Sequence, residues 1–258
     1  MSSHNKIIVD DIIRISKDAG KKILSIYNSD DFDITIKDDN SPLTLADQAS
    51  NEIICSNLKK NYTDIPILSE EEKMIEYSER KKWNIFWLID PLDGTKEFIK
   101  KNGEFTVNIA LIKNGIPILG IVHAPVLDIT WYGSLDDGSF IIKNNKKKPI
   151  KVCNPKKGSS TKIVASRSHS NNPKLENFLT KINNYELVKM GSSIKICLVA
   201  DGSAHFYPRF GPTMEWDTAA AHAVVKYAGG NILDLNTDNE LTYNKEKLLN
   251  PEFLVQYS

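Results

Sequence analysis

Residues 86–98 read FWLIDPLDGTKEF. Phe86 to Ile89 form an apolar run like a strand entering a core, and two aspartates, a proline and a glycine follow at once. Carboxylates at the end of such a strand need a cation or solvent. Pro91 fixes the backbone between Asp90 and Leu92, so the Leu92 carbonyl can be aimed at the same ion as the Asp90 side chain. Gly94 permits close approach of a ligand to the backbone, and TKEF starts like a helix whose free N–H groups favour phosphate. Metal plus phosphate is the chemistry this loop suggests.

Working outward, the chain falls into two halves. Before the loop, Ile12, Ile15, Ala19, Ile23 and Ile26 recur at helical spacing and predict a helix over 10–28. In TLADQASNEIICSNLKK a second helix follows Thr44, which can cap it with Asp47 three positions on, and Ala46, Ala49, Ile53 and Leu58 supply the apolar face. From Pro66 the pattern turns to strands: PILSE, FWLID, then EFTVNIALIK and IPILGIVHA around Asn114-Gly115, a two-residue hairpin signal. Asp137-Gly138 marks another turn, and Lys146 to Lys148 read as a solvated loop. Residues 1–154 therefore predict an α+β half, helices on an antiparallel sheet.

Residues 155–258 alternate instead. Strand KIVAS, a helix over 173–181, strand YELVKM, a helix over 192–200, strand AHFY, a helix over 216–228 and short strands after Gly229-Gly230 predict a smaller α/β half. No repeat or low-complexity linker separates the halves, so they should pack closely around a shared cleft.

Composition narrows the classes. At 258 residues with 41% hydrophobic content, the chain can bury a sizeable core. Lysine plus arginine (33) balance aspartate plus glutamate (33), which argues against a long nucleic-acid groove. No apolar run approaches the roughly 18 residues that span a bilayer, and the start, MSSHNKIIVDDIIRIS, lacks the pattern of a secretory leader. Cys55, Cys153 and Cys197 are odd in number and outside metal-ligand spacing, as expected of plain thiols in a reducing cytoplasm.

Three acidic positions stand where strands end or helices begin: Glu70 in ILSEEE, Asp90 and Asp93 in IDPLDGT, and Asp217 in EWDTAAAHA. Each has a plain alternative. Glu70 to Glu72 can be a solvated charge run, Asp93 a turn residue and Asp217 a helix cap. Together they have the composition of a hard-cation site, because magnesium takes several oxygen ligands from separate elements.

DPLDGTKEF, with SEE upstream and WDTAA downstream, resembles the lithium-sensitive, magnesium-dependent phosphatases of the inositol monophosphatase superfamily. SPLTLAD, SRSH, GSSIKICLVADG and YPRFGPTMEWDTAAAHAV extend the likeness over nearly the whole chain, and SRSH and YPRFGPT resemble its CysQ-type 3′(2′),5′-bisphosphate nucleotidases. The resemblance implies the sugar-phosphatase fold and two or three Mg2+ ions. Glu70, Asp90 and the Leu92 carbonyl would hold one ion; Asp90, Asp93 and Asp217 would hold the second. Asp47 and Thr95 would orient and deprotonate the attacking water, and Glu71 is a further candidate at the metal. The same loop, with Gly94, would face the scissile phosphate.

The implied substrate is 3′-phosphoadenosine 5′-phosphate, with its sulfate-carrying relative as a second. Its remaining groups would meet His169, Ser192, Lys195 and Arg209. Alternatives stand beside these: Ser192 as an N-cap, Lys195 as a solvated helix lysine, Arg209 as a surface arginine in a turn. His222 and His123 read as packed residues. Inositol or fructose phosphatase activity, and a non-catalytic magnesium or nucleotide sensor, remain the rival functions. Lithium sensitivity, peripheral association with the cytoplasmic face of the inner membrane and oligomeric state are left open by sequence.

Overall fold

The computed structural model describes residues 7–29, 35–36, 42–167 and 172–258. Helix α1 (Val9–Tyr27) buries Ile12, Ile15, Ala19 and Ile23, the stripe its spacing predicts. A short pair of antiparallel strands, β1 (Thr35–Ile36) and β2 (Pro42–Leu43), leads into helix α2 (Leu45–Asn61). The buried stripe of α2 runs through Ala46, Asp47, Ser50, Ile54 and Leu58, so Ala49 and Ile53 lie at its margin rather than on it.

A seven-stranded sheet follows: β3 (Ile67–Ser69), β4 (Ile85–Asp93), β5 (Thr106–Lys113), β6 (Ile116–Ala124), β7 (Ile129–Ser134), β8 (Gly138–Lys143) and β9 (Lys146–Pro149), in that spatial order. Helix α3 (Tyr77–Arg80) lies between β3 and β4, and α4 (Thr95–Ile99) between β4 and β5. The sheet is antiparallel except at one place: β3 pairs with β4 in parallel, a departure from the expected antiparallel sheet. Asn114 and Gly115 both have positive φ (52° and 77°), the geometry of the tight hairpin predicted for them. Lys146 to Lys148 form the outermost strand, not a loop.

The apolar run of β4 is continuous because both faces are covered. Trp87 and Ile89 pack with Ile12, Ile23, Ile54 and Leu58, while Phe86 and Leu88 pack on the opposite side with Ala220, Val224 and Ile196. Alternate residues of one strand thus serve two cores.

The rest of the chain builds onto the second core. Strands β10 (Thr161–Ser166) and β11 (Tyr185–Met190) pair in parallel across helix α5 (Pro173–Thr180). Helix α6 (Ile194–Ala200) begins two residues later than expected. Strand β12 (Tyr207–Arg209) begins at the last residue of the predicted AHFY and pairs with β14 (Phe253–Tyr257), which also pairs with β13 (Gly230–Asp234). Helix α7 (Glu215–Tyr227) packs on β4 to β8. It comes so close that a Cβ at Gly120 would lie 2.1 Å from the Ala220 carbonyl oxygen, and one at Gly133 2.5 Å from that of Ala223. Residues before and after position 154 share this core. Among the described residues, no helix is long and apolar enough to cross a membrane.

Candidate active site

Three elements bring the acidic residues together. Parallel pairing of β3 with β4 sets Glu70 beside the end of β4, where its N–H donates to the Ile89 carbonyl (3.1 Å). Strand β4 continues through Asp90 to Asp93, so the aspartates lie within it. Asp90 pairs with Asn108 and Asp93 with Thr106, with the register shifting between them at Pro91 and Leu92. The Leu92 N–H donates to Asp90 Oδ1 (3.0 Å) and Ser50 Oγ to the Pro91 carbonyl (2.7 Å), which holds this bulge. The first turn of α7 delivers Asp217, whose Oδ2 accepts the Met214 N–H (2.9 Å).

Glu70, Asp90 and Asp217 each offer an oxygen within 4.8 Å of the others. Asp90 is 1% exposed. Burial pushes its carboxyl well above the usual carboxylate range, and Glu70, Asp93, Asp217 and Asp47 push it further. Asp217 is raised in the same way, by burial, then Asp93 and Glu70, against the Met214 N–H. Gathered carboxylates of this kind are held ionised by a cation, and an all-oxygen donor set suits magnesium rather than a thiophilic metal. These residues fit a divalent cation. They line a cavity of about 430 Å3 with Leu92, Asp93 and Thr95.

Asp47 caps α2, as one of its readings had it, and also faces the loop. Its Oδ2 accepts from the Thr44 N–H (2.7 Å) and hydroxyl (2.5 Å), while Ala46 N–H donates to Thr44 Oγ1 (3.2 Å), closing the cap of α2. Its Oδ1 faces the loop and accepts from Thr95 Oγ1 (3.2 Å). Gly94, at φ 95°, makes the left-handed turn that starts α4 and puts Thr95 there. Asp93 lies outside the three-carboxylate group. Its Oδ2 accepts from Ser192 Oγ (2.6 Å) and Ser193 N–H (2.5 Å).

A second cavity, about 220 Å3, adjoins the first through Asp93, Gly94 and Asp217, and Ser192, Lys195 and Arg209 line it. Ser192 does not cap α6: it has φ 54°, its hydroxyl goes to Asp93, and the cap position belongs to Ser193. Lys195 is not a solvated helix lysine. It is 7% exposed, its Nζ donates to the Ser192 carbonyl (2.5 Å) and lies 5.6 Å from the centre of the Tyr207 ring, and burial lowers it to about 8. Arg209 is half-buried and donates to the Gly211 (3.2 Å) and Pro212 (3.0 Å) carbonyls. His169 lies outside the described residues.

Glu215 turns away from Asp217. Fully buried, it accepts from the N–H groups of Asn244 (2.6 Å) and Lys245 (2.9 Å) and from Lys245 Nζ (2.7 Å), anchoring the loop beside α7. His222 and His123 are buried, as read. Sequence reasoning missed Lys96 and Glu97, which line both cavities, although they stand inside the opening motif. It also missed Ser193, whose contact to Asp93 spans 100 residues and leaves no local pattern. A cavity of about 740 Å3 by the start of α1 shares no lining residue with either.

Comparison with known proteins agrees with this geometry. The sequence model of the inositol monophosphatase family matches residues 8–255. The 3′(2′),5′-bisphosphate nucleotidase CysQ of Buchnera aphidicola subsp. Acyrthosiphon pisum is 46% identical over 226 residues, 87% of this chain and 83% of that protein. The protein of the same name from Escherichia coli K12 is 42% identical over 250 residues, 96% of this chain and 99% of that protein. The crystal structure of CysQ from Bacteroides thetaiotaomicron superposes with a TM-score of 0.85 at 42% identity, covering 96% of each chain. With the acidic centre, the fold and the full-length relatives in agreement, the chain belongs to the inositol monophosphatase family, in its CysQ-type group.

Proposed function

We propose that the protein is a magnesium-dependent phosphomonoesterase that removes the 3′-phosphate of 3′-phosphoadenosine 5′-phosphate, giving AMP and phosphate, and treats the sulfate-carrying relative likewise. The observation that carries this reading is the convergence of Glu70, Asp90 and Asp217 beside a cavity with buried Lys195 and half-buried Arg209 on its wall. The names of its full-length relatives supply the nucleotide. In this reading Glu70, Asp90 and the Leu92 carbonyl would hold one ion, Asp90, Asp93 and Asp217 would hold a second, and lithium would inhibit.

Magnesium bound there supplies an activated water and neutralises charge on the transferring phosphate. The chain's own groups do the rest. Thr95 already donates its hydroxyl proton to Asp47 Oδ1, so its oxygen is left to accept a hydrogen bond from the attacking water. Asp47 is held in place by Thr44 and serves as the base behind Thr95. Attack in line with the leaving 3′-oxygen needs no covalent enzyme intermediate. Ser192, Lys195, Arg209 and His169 recognise the phosphate that is kept. The protein acts in the cytoplasm, where its free Cys55, Cys153 and Cys197 stay reduced.

A panel of phosphomonoesters assayed for phosphate release with Mg2+, with and without lithium, tests the reading. The bisphosphonucleotide should be turned over best and lithium should inhibit. Faster release from inositol monophosphate or fructose 1,6-bisphosphate would overturn the substrate, and binding without release from any would overturn the enzyme.

A further inference from the structure

Beneath the two aspartates of β4 lies a buried polar network that the proposed chemistry leaves unassigned. Thr106 and Asn108 stand on β5 directly opposite Asp93 and Asp90, and are 0% and 1% exposed. Side chains opposite one another in an antiparallel pair lie on the same face. Thr106 Oγ1 is 2.6 Å from Ser192 Oγ and 2.8 Å from Ser193 Oγ, and the Ser193 hydroxyl reaches Asn108 Oδ1 (2.9 Å). Ser192 Oγ donates to Asp93 Oδ2 (2.6 Å), and the Thr106 hydroxyl also reaches Asn108 Oδ1 (3.0 Å). The network therefore runs from β5 through the Ser192–Ser193 turn to Asp93 Oδ2.

Two further features mark it as more than filler. Ser192 is held at φ 54°, a conformation a serine rarely adopts and keeps only where its surroundings over-determine it. Asn108 Nδ2 is buried with no partner among the described residues. A buried orphan amide next to the most crowded carboxylate of the site is the kind of exception that accompanies function.

We propose that Thr106 and Asn108 are positioning residues that, through Ser192 and Ser193, fix Asp93 where a divalent cation requires it. The inference rests on the magnesium reading above. Thr106 holds Ser192 in its strained turn, and Ser192 and the Ser193 N–H fix Asp93 Oδ2. Neither residue touches substrate.

Calorimetric titration with Mg2+ alone, without substrate, on the intact chain tests this. Thr106→Val keeps the shape and removes the hydroxyl. It should bind Mg2+ about tenfold more weakly, as expected for losing a hydrogen bond in a chain ending on a charge. Thr106→Ser should restore binding to within about twofold. The Mg2+ concentration for half-maximal phosphate release should shift with the binding constant. If Thr106→Val does not fold, Asn108→Ser takes its place with the same expected loss. A variant that melts lower yet binds Mg2+ as the wild type does would overturn the positioning role alone. A wild type that takes up no Mg2+ would overturn the magnesium reading and this inference with it.

Discussion

Thr95 and Lys195 are the residues where the geometry makes sharp demands. Thr95 is tied to Asp47 and to the Leu92 carbonyl (3.4 Å), but is not one of the gathered carboxylates. Thr95→Ala should therefore lower kcat by about a hundredfold or more, the range for losing a proton-transfer partner, and leave the Mg2+ titration unchanged. Loss of Mg2+ binding would make Thr95 part of the metal site instead. Lys195 is lowered to about 8 by burial. It is charged below that pH and neutral above it, so KM for the bisphosphonucleotide should be flat up to about pH 8 and rise beyond. The sign for folding is opposite: the charged form is the one burial disfavours, so between about 8 and the ordinary 10.5 stability rises with pH. A KM profile flat to pH 10 would remove Lys195 from substrate recognition. Glu70, Asp90 and Asp217 were legible as a group because SEE, DPLDGT and WDTAA together resemble one family, although each alone had a plain structural use. The burial of Lys195 and the left-handed turn at Ser192 were not, since neither leaves a period in the sequence.

The elements show which patterns carry information and which conceal it. The run Phe86 to Ile89 announced a strand, and its continuity reports a sheet covered on both faces. Lys146 to Lys148 gave the opposite impression. Lysine is a poor strand former, so Lys146 to Lys148 read as a loop, yet they lie in the edge strand of the seven-stranded sheet. Edge strands carry lysine and proline because these discourage pairing with another chain. Replacing Lys146, Lys147 and Lys148 together by threonine should raise the mass measured by light scattering in a concentration-dependent way. Unchanged scattering up to high concentration would show that the edge is protected by other means. The parallel pairing of β3, three residues long, was invisible for want of length.

At the scale of the molecule, residues before and after position 154 share a core because α7 lies against the seven-stranded sheet. Gly120 and Gly133 make that approach possible, and nothing in their spacing foretells it, since closeness between distant segments is a property of the packed chain. Glu70 and Asp90 precede position 154 and Asp217 follows it, so one cation would bind both halves at once. Ligand at a hundredfold above its dissociation constant adds about 2.7 kcal/mol to folding. For a chain of this size that corresponds to a melting temperature about 5–10 °C higher with saturating Mg2+ than with chelator. Equal melting curves in the two conditions would mean that the halves need no cation to hold together.

The same placement reaches beyond the reaction. A cofactor clasped between two parts of a chain also governs how often those parts open, and opened chain is what proteases cut. Scarcity of magnesium would then shorten the life of the protein itself, so that its abundance, and not only its turnover, follows the supply of the ion.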